Sequence, residues 1–95
     1  MNNLSKEFLA EQEEACKTPY TAFYFAKENK GADIEKCQEA ACKDTYYAYC
    51  FANDIKGADI TYCQKATYKD SYWSKRFAEE IPGADQKKYK IYSIL

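Results

Sequence analysis

The sequence predicts an all-α protein, either a short α-solenoid or a compact bundle of about seven antiparallel helices. The first observation is a fixed period, which is typical of repeat proteins. The second is that each period holds two segments with helical spacing of apolar residues, separated by turn signals. Three and a half αα-hairpin repeats satisfy the minimum of about three that a continuous core needs. Phe-Ala pairs and Gly-Ala-Asp triplets recur every 26 residues, at Phe25, Phe51, Phe77, Gly31, Gly57 and Gly83.

The 95 residues are predicted to form one domain, 1–95, because a chain of this length has room for one modest core. The period divides it into a degenerate N-terminal capping helix over 5–17 and three repeats, over 18–43, 44–69 and 70–95.

Capping side chains mark where each predicted helix begins. Ser5 precedes the first helix, which we expect from about Lys6 to Cys16. Thr18 then stands before Pro19, which suits the first position of a helix because that position needs no N–H. The longer helices follow Thr18, Asp44 and Asp70, and they are predicted over 19–30, 45–56 and 71–81.

Each longer helix is predicted to end at the glycine of a Gly-Ala-Asp triplet, in the left-handed position that follows many helices. Pro82 also stops the third one. The aspartate of each triplet caps a shorter helix, and these helices are predicted over 34–43, 60–69 and 86–94. Helices joined by turns this short must pack as antiparallel neighbours.

Positions that stay nearly the same in every copy predict the core. In the middle copy Ala48, Phe51, Ala52 and Ile55 follow the i, i+3, i+4, i+7 spacing of a buried helix face. Three repeated tyrosines are expected to pack between repeats, with each hydroxyl reaching a partner. Two repeated glutamines are expected to bond the neighbouring turn. These residues are Tyr20, Tyr46, Tyr72, Gln38 and Gln64.

Positions that differ between copies predict where a partner binds, because solenoids present varied side chains from a fixed scaffold. Tyr, Trp and Arg are also the residue types that dominate binding hot spots. The alternative, that these aromatic side chains only seal a small core, stays open. The varied slots hold Thr21, Tyr47 and Trp73, then Phe23, Tyr49 and Lys75, then Tyr24, Cys50 and Arg76. The predicted partner-binding residues are Tyr24, Tyr47, Tyr49, Tyr62, Trp73, Lys75 and Arg76.

The residue types present argue against an enzyme. The chain has no histidine, and each glycine stands alone, so neither the commonest acid–base group nor a phosphate-binding loop is available. Cys16 and Cys42 occupy one position of the period and Cys37 and Cys63 another, so they are predicted to be reduced core residues and not zinc ligands. Cys50, in a varied slot, is predicted to be the exposed thiol. We expect no catalytic residue, cofactor or metal.

The net charge of −1 gives no global basic field, although residues 1–44 carry −3 and residues 45–95 carry +2. No apolar run approaches the roughly 20 residues of a membrane span, and the N-terminus is too polar for a signal peptide. The prediction is a cytoplasmic protein that does not enter a membrane, in the host cytoplasm if a phage encodes it.

The segments Tyr24–Ala40 and Tyr49–Ala66 resemble tandem repeats of uncharacterised bacterial and phage proteins, in which a pattern FA-x-x-[IV]-x-G-A-[DN]-I recurs. The resemblance covers residues 18–95. It implies a helical scaffold and no particular activity. This chain is much shorter than such arrays, which suggests a dedicated binder.

Three functions are therefore considered. The first is a non-enzymatic protein-binding module, in its sharpest form a phage or mobile-element inhibitor that sterically blocks a host defence enzyme, as anti-CRISPR proteins do. The second is a nucleic-acid-binding repeat that uses the basic C-terminal half. The third is a structural repeat that self-assembles, with a homodimer through the C-terminal helix at Ile91, Tyr92, Ile94 and Leu95.

Overall fold

The structure, a computed structural model, describes residues 5–88, and within that range it contains only helices and turns. The all-α prediction is therefore confirmed, while the predicted seventh helix over 86–94 lies largely outside the described residues, as do Ile91, Tyr92, Ile94 and Leu95. None of the helices in the described range is long and apolar enough to cross a bilayer. The helices are α1 (Lys6–Ala15), α2 (Pro19–Glu28), α3 (Ile34–Ala41), α4 (Thr45–Asp54), α5 (Ile60–Ala66) and α6 (Ser71–Glu80).

Each of the helices α1–α6 begins at a predicted cap. In each case the side-chain oxygen of the cap accepts a hydrogen bond from the backbone N–H three residues later, which satisfies a donor that the helix leaves free. The distances are close to 3 Å, for example 3.0 Å from Phe8 N to Ser5 Oγ and 3.1 Å from Trp73 N to Asp70 Oδ1. The six caps are Ser5, Thr18, Asp33, Asp44, Asp59 and Asp70.

The longer helices end earlier than predicted, and the glycine does not directly follow them. Ile55 and Ile81 leave the helix in an extended conformation, so that their side chains, 7% and 4% exposed, turn into the core. A β-turn follows, closed in the α4–α5 connection by the Ala58 N–H donating to the Ile55 carbonyl at 3.2 Å. Gly57 and Gly83 occupy the third position of such turns, with φ of 92° and 88°, which glycine adopts without strain. The shorter helices also end two or three residues early, in tight turns that lead to the next cap.

Successive longer helices pack side by side, α2 on α4 and α4 on α6, with the shorter helices packed against them. The predicted core face is largely confirmed, since Ala48 and Phe51 are fully buried and Ile55 nearly so, while Ala52 is half-buried. Phe25 is also only half-buried. Its ring packs on the ring of Phe8 in α1, with 5.2 Å between the centroids. The largest fully buried side chains are Phe51, Phe77, Thr67, Cys37, Cys63 and Ser74.

Three buried glutamines, one each in α1, α3 and α5, bond the backbone at the aspartate of the Gly-Ala-Asp triplet that follows. The Oε1 atom of each accepts a hydrogen bond from the backbone N–H of the aspartate 21 residues later, at 2.7 Å for Gln12 and Gln38 and 2.9 Å for Gln64. The Gln64 Nε2 also donates to the carbonyl of Asp85 at 2.8 Å. The bonds that we predicted for Gln38 and Gln64 are confirmed, and Gln12 extends the series by one copy.

Candidate interaction surface on the longer helices

Aromatic side chains cover the solvent face of the longer helices. In a helix, two residues of separation correspond to a rotation of about 200°, so Tyr46 lies almost opposite the buried Ala48. Tyr20, Tyr46 and Tyr72 take this outward position in α2, α4 and α6, and they are 54%, 44% and 59% exposed. Tyr24, 38% exposed, lies one turn further along α2. We call the surface formed by Tyr20, Tyr24, Tyr46, Tyr72 and Arg76 the outer aromatic face.

The prediction that Tyr20, Tyr46 and Tyr72 pack between repeats, with each hydroxyl reaching a partner, is only partly correct, because all three side chains are also exposed. Two of the rings contact the next repeat, Tyr20 with Tyr47 at 5.8 Å and Tyr46 with Trp73 at 5.0 Å between centroids. Their outer sides meet solvent because the helix period directs them away from the core. Identical residues in successive copies therefore form part of the surface here, and not of the core.

Two varied slots supply further contacts between successive longer helices. Phe23 of α2 meets Tyr47 of α4 at 5.9 Å, and Tyr49 of α4 meets Trp73 of α6 at 5.2 Å between ring centroids. Tyr47, Tyr49 and Trp73, three of the predicted partner-binding residues, are consequently half-buried. Burial raises the pKa of the Tyr47 hydroxyl.

The terminal members of these slots are polar. Thr21 takes the slot of Tyr47 and Trp73 in α2, the first of the three helices α2, α4 and α6, and its side chain is exposed. Lys75 takes the slot of Phe23 and Tyr49 in α6, the last helix described, and it too is exposed. Within residues 5–88, the aromatic members of these slots are therefore the ones that lie where two of α2, α4 and α6 meet.

Arg76 organises one end of the outer aromatic face. Its guanidinium donates two hydrogen bonds to the Glu80 carboxylate, at 3.0 and 2.9 Å, and one to the Tyr72 hydroxyl at 3.2 Å. It also lies 5.3 Å from the Tyr49 ring and 5.2 Å from the Trp73 ring, within the range of cation–π attraction. The Tyr49 hydroxyl donates to the same carboxylate. These bonds, that of Arg76 first, lower the pKa of Glu80.

At the other end, Lys27 plays a similar part. Its Nζ forms an ion pair with Asp54 Oδ2 at 3.3 Å across α2 and α4, and it lies 5.9 Å from the Tyr24 ring. Two of the cations beside the tyrosines, Lys27 and Arg76, are thus paired with carboxylates, whereas Lys75 is exposed.

Cys50 is half-buried, as Cys16 is, whereas the other three cysteines are buried, so the expectation that Cys50 is the exposed thiol is only partly met. Its side chain packs against the core, and burial raises its pKa. A hydrogen bond with the Cys50 sulfur raises the pKa of the Tyr46 hydroxyl above it.

The remaining predicted partner-binding residues are dispersed. Tyr24 belongs to the outer aromatic face, and Tyr49, Trp73 and Arg76 form one cluster at its end. Tyr62 is 42% exposed but projects from α5, where it lines a groove beside α3. One copy later, Lys65 and Lys88 line the equivalent groove at the positions that Glu39 and Tyr62 take in the first groove. The charge along the shorter helices therefore changes from acidic to basic along the chain.

Among residues 5–88 no three Cys, Asp or Glu side chains converge in a group that could hold a metal ion. Comparison with protein-family models, with curated proteins and with solved structures finds no match. The proposals below therefore depend on the chain's own surface.

Proposed function

We propose that the chain is a short helical-repeat protein that binds a protein partner through the outer aromatic face. The observation that carries the proposal is the row of exposed tyrosines on α2, α4 and α6, with half-buried rings between them. Large rigid rings with a polar tip offer contact area at little cost in conformational entropy, which is why tyrosine is common in binding sites.

The row is held in place before any partner arrives. Tyr47 and Trp73 fill the spaces between the three outward tyrosines, and their ring contacts run from Tyr20 to Tyr72 without a break. Arg76 donates a hydrogen bond to the Tyr72 hydroxyl and so holds that ring in position. A preorganised surface loses little side-chain freedom on binding, which favours affinity.

The charges beside the row favour a protein over a nucleic acid. Phosphate binding needs cations that are free to meet it, yet Lys27 is paired with Asp54 and Arg76 with Glu80. Lys65 and Lys88 line the groove along α5, a different part of the surface from the tyrosines. We infer that the partner presents apolar side chains to the rings and hydrogen-bond acceptors to the hydroxyls.

The test is a pull-down from a lysate of the producing cell with three baits, each treated with nuclease. The baits are the wild type, the double variant Tyr46→Ser/Tyr72→Ser, and Tyr62→Ser. Tyr62 is the matched control because it is as exposed as Tyr46 but projects from a shorter helix. We expect one protein to be captured by the wild type and the control and to be lost, at least about tenfold, with the double variant.

The captured protein is then purified and mixed with the wild type, and tyrosine nitration locates the contact. Protection of Tyr46 and Tyr72, with Tyr62 still reactive, supports the proposal. Capture that nuclease abolishes would favour nucleic-acid binding. Capture that both variants retain would exclude the outer aromatic face, and self-association alone would favour the structural alternative.

A narrower form of the proposal makes the partner a host defence enzyme that the chain blocks sterically. It rests on the residue types of the chain and on its preorganised surface, and it predicts loss of the enzyme's activity at a 1:1 ratio. The double variant should fail to inhibit where Tyr62→Ser inhibits normally.

A further inference from the structure

Two pairs of cysteines stand in sulfur contact between neighbouring shorter helices. Cys16, at the end of α1, has its Sγ 3.9 Å from Cys37 Sγ in α3. Cys42, at the end of α3, has its Sγ 3.5 Å from Cys63 Sγ in α5. Both pairs join residues 21 apart, and they occupy equivalent positions of the 26-residue period.

In the sequence, the two positions of a pair either both hold cysteine or both hold another residue. In the third copy Tyr68 stands where Cys16 and Cys42 stand, and Tyr89 stands where Cys37 and Cys63 stand. Both members of the pair therefore change together. Small apolar residues would fill a core equally well, so packing alone does not require cysteine at both members twice.

We propose that Cys16 and Cys37 form a redox modification site, which a low-molecular-weight disulfide converts into an intramolecular disulfide that links α1 to α3. A disulfide needs its sulfurs about 2.05 Å apart. Because Cys16 lies in the turn after α1, its side chain can approach Cys37 without disturbing a helix.

The reaction is a double thiol–disulfide exchange. The Cys16 thiolate attacks one sulfur of the reagent RSSR, forms a mixed disulfide and releases RS⁻. The Cys37 thiolate then attacks the Cys16 sulfur and releases the second RS⁻, so that two protein thiols lose two electrons and two protons and one RSSR becomes two RSH.

Accessibility distinguishes the two pairs. Cys16 is half-buried, whereas Cys37, Cys42 and Cys63 are buried. The reagent can therefore reach the first pair through Cys16, while the second pair must wait for α3 and α5 to separate. Burial, with the neighbouring Cys16 adding to it, raises the pKa of Cys37 to about 12, so the closing step should accelerate as the pH rises from 7 to 9.

The experiment exposes the reduced full chain to oxidised glutathione, traps free thiols by alkylation and measures mass. We expect loss of two hydrogens with Cys16 linked to Cys37 in tryptic peptides, well before Cys42 and Cys63 react. A Cys42→Ser variant makes the assignment unique, because Cys37 and Cys42 otherwise share one tryptic peptide. A Cys37→Ser variant should stop at the mixed disulfide on Cys16, and Cys50→Ser, which leaves both pairs intact, should behave as the wild type.

A second readout is the melting temperature, which should rise by about 5 °C or more once the loop of about 20 residues is closed. Accumulation of the glutathione adduct on Cys16 in the wild type, with no internal bond, would overturn the proposal. So would equal reaction rates for the two pairs.

Discussion

Two sets of equivalent positions in this chain behave in opposite ways. Gln12, Gln38 and Gln64 are identical, and each accepts the same backbone hydrogen bond in a buried site. Phe23, Tyr49 and Lys75 are all different, and their exposure rises from buried to half-buried to exposed. The first set shows that identity marks a joint that every copy needs. The second shows that, within residues 5–88, the aromatic members of a varied set are those that pack against the next of the helices α2, α4 and α6.

The largest effect should come from exchanging side chains within the varied set. Phe23→Lys would bury a charge against Tyr47 and Phe51, and we expect it to lower the free energy of unfolding by at least about 3 kcal/mol. Lys75→Phe adds an apolar side chain at an exposed position that none of the described helices covers, and it should change stability by less than about 0.5 kcal/mol. Urea denaturation measures both.

Lys75→Phe should instead promote self-association, which sedimentation at increasing concentration would detect. If Lys75→Phe destabilised the chain as much as Phe23→Lys, the two positions would share one environment. The neighbour-dependent explanation of the varied slots would then be wrong.

The buried glutamines should give the next largest effect. Gln38→Ala leaves the Asp59 N–H without its acceptor and removes packing beside Cys63, so we expect a loss of about 2 kcal/mol. Glu39→Ala is the control, because Glu39 is exposed on the same helix. Chemical denaturation that gave equal midpoints for the two variants would show that the glutamine bond contributes little.

Helix positions were predictable because they depend on local chemistry. Each described cap acts as the sequence indicated, since a side-chain oxygen three residues before a free N–H needs nothing from the rest of the chain. Helix ends were predicted less well. Ile55 and Ile81 leave the helix because the core draws in their side chains, which depends on tertiary packing.

The candidate interaction surface was only partly predictable, and the reason lies in the rule used to find it. Comparing copies separated constant from varied positions and assigned Tyr46 to the interior and Tyr49 to the surface. The helix period contains the needed information, since Tyr46 lies about 200° from Ala48 and Tyr49 only about 100° from it. What the period could not supply was the Arg76–Glu80–Tyr49 arrangement, because it requires the positions of two neighbouring helices.

Ser74 is a buried position at which a substitution should increase stability. It takes the position of Ala22 and Ala48, it is fully buried, and its hydroxyl has no hydrogen-bond partner among the described residues. Ser74→Ala should raise the free energy of unfolding by about 1 kcal/mol, because it removes a desolvated hydroxyl and improves helix propensity. Ser71→Ala, at the exposed start of α6, should not. Destabilisation by Ser74→Ala in thermal melts would reveal an unrecognised role for the hydroxyl.

The smallest effect concerns a position that is acidic in every copy but has an arginine partner in one. Glu28, Asp54 and Glu80 are equivalent, and only Glu80 has an arginine, Arg76, one turn before it. The Arg76 bonds lower the pKa of Glu80, so its contribution to stability is complete above the ordinary carboxyl pKa of about 4.3 and is lost as the pH falls through the lower folded value.

Between pH 5 and pH 2 the melting temperature of the wild type should therefore fall slightly more than that of Glu80→Gln, which has no carboxylate to protonate. Glu79→Gln, one residue away and exposed, should follow the wild type. Because the pair is at the surface, salt should reduce the difference. If the melting temperatures of the wild type and Glu80→Gln fell equally with pH, the carboxylate would serve only to hold Arg76 and Tyr49 in position. Its importance would then lie in the shape of the outer aromatic face and not in stability.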